Sequence, residues 1–303
     1  MKTRPTHGSF FVTFDGILVI DKPSGATSRD VVNRALRWFG RRTPIGHAGT
    51  LDPLATGVLV LCVGSATRLI EYIQQMPKTY QARIVLGATS DTDDANGTIT
   101  PTLNATSPTR IQLDLALGAL VGTIEQVPPA FSAAKVTGRR AYDLARQGKA
   151  FELKPRTVTI HSIDVIGFAY PELEIVVRCG KGTYIRSIAR DLGRSLGCGG
   201  HIATLRRRTI GWFTETEATA IDIDSATACE RLVPAWHAIQ DFPPAIVSDD
   251  EATMLLEGRR ITHSAALRTD ADLFAVVNNA GNTVAVVKAI EGMLQPIKVL
   301  VRA

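Results

Sequence analysis

The first clear pattern along the chain is the apolar run GILVI at residues 16–20, closed by the turn cluster Asp21-Lys22-Pro23-Ser24-Gly25. It predicts a short buried strand. Val31, Val32, Ala35, Leu36 and Phe39 then recur at helical spacing, with Thr27 or Ser28 as N-cap, Asp30 in the first turn and Gly40 as the stop. Residues 58–63 read as a second buried strand and 66–75 as a short amphipathic helix. Tyr80, Ala82, Ile84 and Leu86 alternate with Gln81, Arg83 and Val85, the period of a half-buried strand. Further alternating runs lie at 156–168 and 172–179, and helical patterns at 110–120, 140–147 and 183–196. Strands and helices mix without a βαβ rhythm and without internal repeats, which predicts an α+β body.

Phe242-Pro243-Pro244 reads as a linker. Beyond it a short helix near 249–257, a hairpin of 274–277 with 283–288 around NNAGN, and a strand at 298–301 form a small β-rich appendage. The expected division is a loose leader at 1–15, a body at 16–240 and the appendage at 241–303. The 303 residues are 45% hydrophobic and 21% charged, which provides a sizeable core and excludes a disordered chain. The longest purely apolar run, 58–63, is far short of the roughly 20 residues of a spanning helix, and the first fourteen residues lack a signal-type apolar segment. The expected compartment is the cytoplasm. Cys62, Cys179, Cys198 and Cys229 form no C-x-x-C pair and read as indifferent thiols.

The net charge of +5 is unevenly spread. Residues 241–303 hold six basic and eight acidic side chains, and the first 240 hold 28 and 21. A polyanionic partner would therefore be held mainly by the body.

Several motifs carry no chemistry. Gly180-Lys181-Gly182-Thr183 lacks the spacing of a phosphate-binding loop, and DTDDANG at 91–97 fits a polar turn better than a calcium loop. The histidines show no ligand spacing, so no metal is expected. The segment from Gly46 to Gly57 differs: it puts His47 and Asp52 in a glycine-bounded loop just before a buried strand. Pro53 keeps Asp52 extended, and the carboxylate either reacts or merely caps its own loop. On the run after Gly182, Arg186 is placed to pair with a buried carboxylate, while Arg190 and Arg194 suit a solvated face. Arg206, Arg207 and Arg208 suit phosphate contact or plain surface charge.

Asp21-Lys22-Pro23-Ser24-Gly25-Ala26-Thr27-Ser28, HAGTLDPLATGVL (47–59), Lys78-Thr79-Tyr80, GTYIRSIARDLG (182–193) and HIATLRRRTIG (201–211) stand in the order found in the tRNA pseudouridine synthase B family. Residues 126–135 with Gly138-Arg139-Arg140-Ala141-Tyr142 also resemble it. The likeness runs from about Gly16 to Gly211 and continues more faintly to the C-terminus. It implies a pseudouridine-synthase-type mixed sheet flanked by helices, with a PUA-like C-terminal domain. The implied activity is isomerisation of uridine-55 in the tRNA T loop to pseudouridine by base flipping, without cofactor or metal, by a monomer, with tRNA folding assistance as a second role. By this resemblance Asp52 is the catalytic carboxylate, Arg186 its partner, and Tyr80 the ring that stacks on the flipped uracil and can accept a proton. Tyr184 and Leu205 line the base pocket, His47 fills the space the base leaves, and Lys22 supports the pocket. Arg139, Arg140, Arg206, Arg207 and Arg208 are the candidate phosphate contacts. Phe131 stands where the family has tyrosine and removes one hydroxyl. A silent RNA-binding module would need the basic face without Asp52, and a glycoside hydrolase would need a second carboxylate.

Overall fold

The computed structural model describes residues 14–132, 134–136, 139–147, 151–262 and 271–300, without the side chains of Lys135, Val136, Arg139, Arg140, Asp143 and Arg146. Of the expected leader, residues 1–13 lie outside this set, and Phe14 and Asp15 are not loose. The Phe14 ring packs on Phe39 at 5.3 Å. The Asp15 carboxylate accepts the Ser65 hydroxyl at 2.8 Å and the Ala66 N–H at 3.0 Å.

Strand β1 (Gly16–Lys22) leads into helix α1 (Ser28–Phe39), and β2 (Ile45–His47) and β3 (Thr56–Val63) flank the loop carrying Asp52. Helix α2 (Ile70–Gln75) precedes β4 (Lys78–Leu86). The hairpin β5 (Ala88–Ser90) and β6 (Ile99–Pro101) follows, then α3 (Arg110–Gly118) and β7 (Gly122–Gln126). The pair β8 (Lys135–Val136) and β9 (Arg139–Arg140) runs into α4 (Ala141–Arg146). The hairpin β10 (Arg156–Ala169) and β11 (Glu172–Cys179), helix α5 (Ile185–Ser195), strands β12 (Gly200–Ile210) and β13 (Phe213–Thr214), and α6 (Ser225–Glu230) complete the body. The C-terminal unit comprises β14 (Pro244–Val247), α7 (Asp249–Leu256), β15 (Ile261–Thr262), β16 (Leu273–Asn278), β17 (Thr283–Ile290) and β18 (Met293–Val299).

One mixed sheet organises the body, in the order β1-β3-β12-β4-β11-β10-β7, with β2 and β13 attached at β3 and β12. Only β12 and β3 run parallel within it; the other described pairs are antiparallel. The α+β reading holds. Helix α1 forms where its signals lie: the Thr27 hydroxyl caps the Asp30 N–H, the Asp30 carboxylate returns to the Thr27 N–H, and Gly40 ends it at φ 89°. The helix expected at 66–75 is instead a 3₁₀ stretch, Gly64–Leu69, followed by α2. Gly64 at φ 66° and the Asp15 cap tighten that first turn.

Strand β12 has no counterpart among the elements read from the sequence. Register shifts at Ile202/Thr204 and Arg207/Thr209 break its alternation, and three successive arginines disguise what remains. Its partner β3 passes so close that a Cβ on Gly57, at φ 96°, would lie 2.2 Å from the Arg207 carbonyl oxygen, so glycine is required there. Helix α5 buries Ile185, Ile188, Ala189 and Leu192. Its approach to β12 depends on Gly193, where a Cβ would stand 2.2 Å from the Gly199 backbone.

A second sheet, β14-β16-β17-β18-β15, forms the C-terminal unit. The strand expected at 298–301 actually spans Met293–Val299, and Pro296 concealed its first half. Pro296 is tolerated beside a register shift in β17. The expected linker is packed: Phe242 meets the Tyr72 ring edge-on at 5.2 Å, and Pro244 opens β14. Ala275, Val286 and Leu300 share a buried cluster with Ile17, Val58, Val60 and Leu69, and Lys298 pairs with Glu71 at 2.6 Å. Among the described residues no helix is long and apolar enough to cross a membrane.

Candidate active site

The loop between β2 and β3 is held from two sides. On one side Ser28, at the start of α1, accepts the Leu51 N–H at 2.9 Å and donates to the Leu51 carbonyl at 3.2 Å. Lys22, with no exposed surface, reaches the carbonyls of Pro23 at 2.9 Å, Ala26 at 2.7 Å and Pro53 at 3.4 Å. On the other side Arg207 donates to Val58 at 2.7 Å, Gly49 at 3.0 Å and Thr50 at 3.4 Å. The Asp52 carboxylate is left about a third exposed (35%), 2.9 Å from Nε of Arg186. It does not cap its own loop.

Arg186 sits in the first turn of α5, 4% exposed. Helix α5 is fixed there by Gln126, which accepts the Tyr184 N–H at 2.8 Å and donates to the Tyr184 carbonyl at 3.1 Å. The guanidinium donates to the carbonyls of Thr92 and Phe131, both at 2.9 Å, and lies 3.4 Å from Asp94. A tyrosine at position 131 would offer the same carbonyl, so the departure at Phe131 leaves this contact intact. Asp94 belongs to the 91–97 segment read only as a polar turn. That turn aims two carboxylates at α5, because Asp93 binds Arg190 at 3.0 Å. Arg190 also pairs with Asp191 at 2.9 Å, so it is not the solvated residue expected. Only the tertiary contact reveals Asp93 and Asp94.

Asp52, Arg186, Tyr80, Tyr184 and Leu205 line one cavity of about 270 Å³, together with Lys78, Arg207 and residues 48–51 and 180–183. Gly180-Lys181-Gly182-Thr183, set aside as a failed phosphate loop, thus forms part of its wall. His47 stands outside that wall on β2, and Lys22 lies behind the Asp52 loop. Arg207 is corrected from a surface phosphate contact: at 1% exposure, with its donors on backbone carbonyls, it belongs to the cavity floor. Arg206 is paired with Asp21 at 2.9 Å and Glu215 at 2.8 Å, and Arg208 with Glu215 at 2.8 Å. The side chains of Arg139 and Arg140 lie outside the described residues.

Burial pushes the Asp52 carboxyl above the usual carboxylate value, and the Arg186 charge pulls against it. Burial also raises the Tyr80 hydroxyl, with Arg207 opposing, so the phenol is protonated near neutral pH. Burial, with Arg207 and Arg29 adding to it, holds His47 below the usual imidazole value. Lys22 and Lys78 are each pushed down by burial to about 8. No group of three or more His, Cys, Asp or Glu among the described residues is placed to hold a metal ion.

Residues 37–185 match the family model for the TruB family pseudouridylate synthase N-terminal domain, and 186–232 that for the tRNA pseudouridylate synthase B C-terminal domain. The tRNA pseudouridine synthase B of Thermobifida fusca (strain YX) is 44% identical over 82% of this chain and 87% of that protein. The chain belongs to the TruB family. Another member, the tRNA pseudouridine synthase B of Caulobacter sp. (strain K31), is 40% identical over 94% of this chain and 95% of its own length, so the likeness includes the C-terminal unit. In fold, this TruB-family chain resembles the crystal structure of a Cbf5-Nop10-Gar1 complex, with a TM-score of 0.71 at 23% identity over 95% of this chain and 85% of that one. The two family models meet between Ile185 and Arg186, at the start of α5 in the cavity wall.

Proposed function

We propose that the protein isomerises uridine-55 of the tRNA T loop to pseudouridine, acting on the T arm as a cytoplasmic monomer without metal or cofactor. The observation that carries this reading is Asp52, held 2.9 Å from Arg186 in the wall of a cavity that Tyr80 and Tyr184 also line. The reaction breaks the C1′–N1 bond, forms C1′–C5, and moves a proton from C5 to N1. The base must leave the loop stack for this, at a cost of a few kcal/mol. An ionised Asp52 serves either route, as nucleophile at C1′ or as base at C2′. Asp94 is buried behind Arg186, and among the described residues Asp52 is the one carboxylate lining the cavity, which favours isomerisation over two-carboxylate glycoside hydrolysis. The division into a catalytic body at 16–240 and a PUA-like unit at 241–303 belongs to the same reading.

Release of tritium from C5-labelled uridine in a T-arm transcript tests the reading. An isomerase releases the label to water, a hydrolase frees uracil with the label in place, and an RNA chaperone does neither. Because burial raises Asp52, the acid limb of kcat/KM falls above the ordinary aspartate value. A limb at or below that value assigns it to another group. Tyr80→Phe retains the stacking ring and slows turnover, whereas Tyr80→Ala also weakens binding of a flipped-base analogue by about 1–3 kcal/mol. Equal affinity of the two variants for the analogue removes Tyr80 as the platform.

A further inference from the structure

Two buried cations bound the cavity without an acidic partner. Lys78 is 6% exposed and Arg207 1%, and among the described residues neither forms an ion pair with a carboxylate. The Lys78 ammonium donates to the carbonyls of Gln74 at 2.5 Å and Met76 at 2.6 Å. Arg207 spends its bonds on the carbonyls of Gly49, Thr50 and Val58. Carbonyl oxygens accept these hydrogen bonds but leave the two charges uncompensated, which is costly in a protein interior. Asp52 does not neutralise them, being held by Arg186.

Their placement centres on Tyr80. Lys78 and Tyr80 are two residues apart on one face of β4 and both buried. Arg207 of β12 is the register partner of Tyr80 across the pairing, and its charge opposes the rise that burial imposes on the Tyr80 hydroxyl. All three line the cavity. An ammonium has three donors, so Lys78 retains one after its two carbonyl bonds.

The isomerisation generates an anion on the base. When C1′–N1 breaks, both bonding electrons go to N1, and the negative charge spreads over N1, O2 and O4 of the uracil. It persists until C5 bonds to C1′, which consumes the electron pair; the C5 proton then departs and N1 is protonated in the product. This holds for attack at C1′ and for proton removal at C2′ alike. We propose that Lys78 and Arg207 form a cationic floor that stabilises the uracil anion between cleavage and reattachment, Lys78 as a donor to the base and Arg207 as a positioning residue acting through Tyr80. The inference rests on the isomerase reading above.

Lys78→Met and Lys78→Arg test it, with single-turnover tritium release, affinity for the T-arm RNA, the pH profile of kcat/KM and thermal melting measured for each. Lys78→Met slows the single-turnover step on the order of 10²-fold, the loss typical of one oxyanion-hole donor, with RNA affinity within about threefold of wild type. Lys78→Arg retains the charge and stays within about tenfold. The wild-type profile falls on the alkaline side near 8, where Lys78 loses its proton, and Lys78→Arg moves that fall upward. The groups facing Lys78 are Arg207 from β12, Cys179 from β11, Lys181 from the loop after β11, and Tyr80; Cys179 is held up at about 11. A fall unmoved in Lys78→Arg belongs to Lys22 and overturns the inference, as does a folded Lys78→Met that turns over at the wild-type rate. Weaker RNA binding at an unchanged single-turnover rate makes Lys78 a phosphate contact and also overturns it. If Lys78→Met does not fold, the alkaline fall in Lys78→Arg decides. A wild-type protein that releases no tritium overturns the isomerase reading itself, and this inference with it.

Discussion

Asp52→Asn lowers single-turnover isomerisation of a T-arm stem-loop by at least about 10³-fold, roughly 4 kcal/mol on the barrier. Asparagine keeps the volume and the extended backbone before Pro53 while removing the charge that either route requires. The loop keeps its ties to Ser28, Lys22 and Arg207, none of which uses the Asp52 side chain. Affinity for the RNA therefore stays within about threefold, because the carboxylate contributes chemistry and not capture. Rapid-quench tritium release with a parallel binding titration measures both quantities. Residual turnover within about tenfold of wild type, roughly 1.4 kcal/mol, removes Asp52 from the reaction.

What the sequence disclosed depended on how local its signals were. Strand β1 and helix α1 were readable because a turn cluster, a capping box and a stop glycine act within a few residues. Strand β12 was not, because its register shifts interrupt the alternation on which strand reading relies. Arg207 illustrates the consequence. Among three arginines it resembles surface charge, yet the pleat turns it inward with Leu205 while Arg206 and Arg208 pair with Glu215 outside. Asp52 and Arg186 were visible as a possible pair through the family motifs. Their distance, and the help Arg186 receives from Thr92, Asp94 and Phe131, are tertiary facts with no imprint on spacing. The C-terminal unit was legible as β-rich, and its packing on the 64–75 segment was not.

That packing of Arg186 gives the second large effect. Arg186→Gln removes the cation between Asp52 and Asp94, two carboxylates that already act on each other by charge. Breaking a buried pair by deleting one partner leaves the other charge stranded, at about 3–5 kcal/mol. In a chain of this size the melting temperature falls by roughly 10 °C. Turnover falls as well, since without the guanidinium the Asp52 carboxyl titrates higher still and its ionised form is less favoured. The stability loss depends on pH with a definite sign. Acids whose folded pKa is raised bind protons more readily folded than unfolded, so their penalty is relieved as pH falls through that pKa and reappears as pH rises. The gap between wild type and Arg186→Gln therefore narrows in denaturant melts as pH falls through the raised Asp52 pKa. Adding Asp94→Asn to Arg186→Gln removes one stranded charge and restores part of the stability while turnover stays low, which separates structural neutralisation from the positioning of Asp52. A gap that widens toward acid pH, or a double variant no more stable than Arg186→Gln, shows that the two carboxylates are not what Arg186 holds in place.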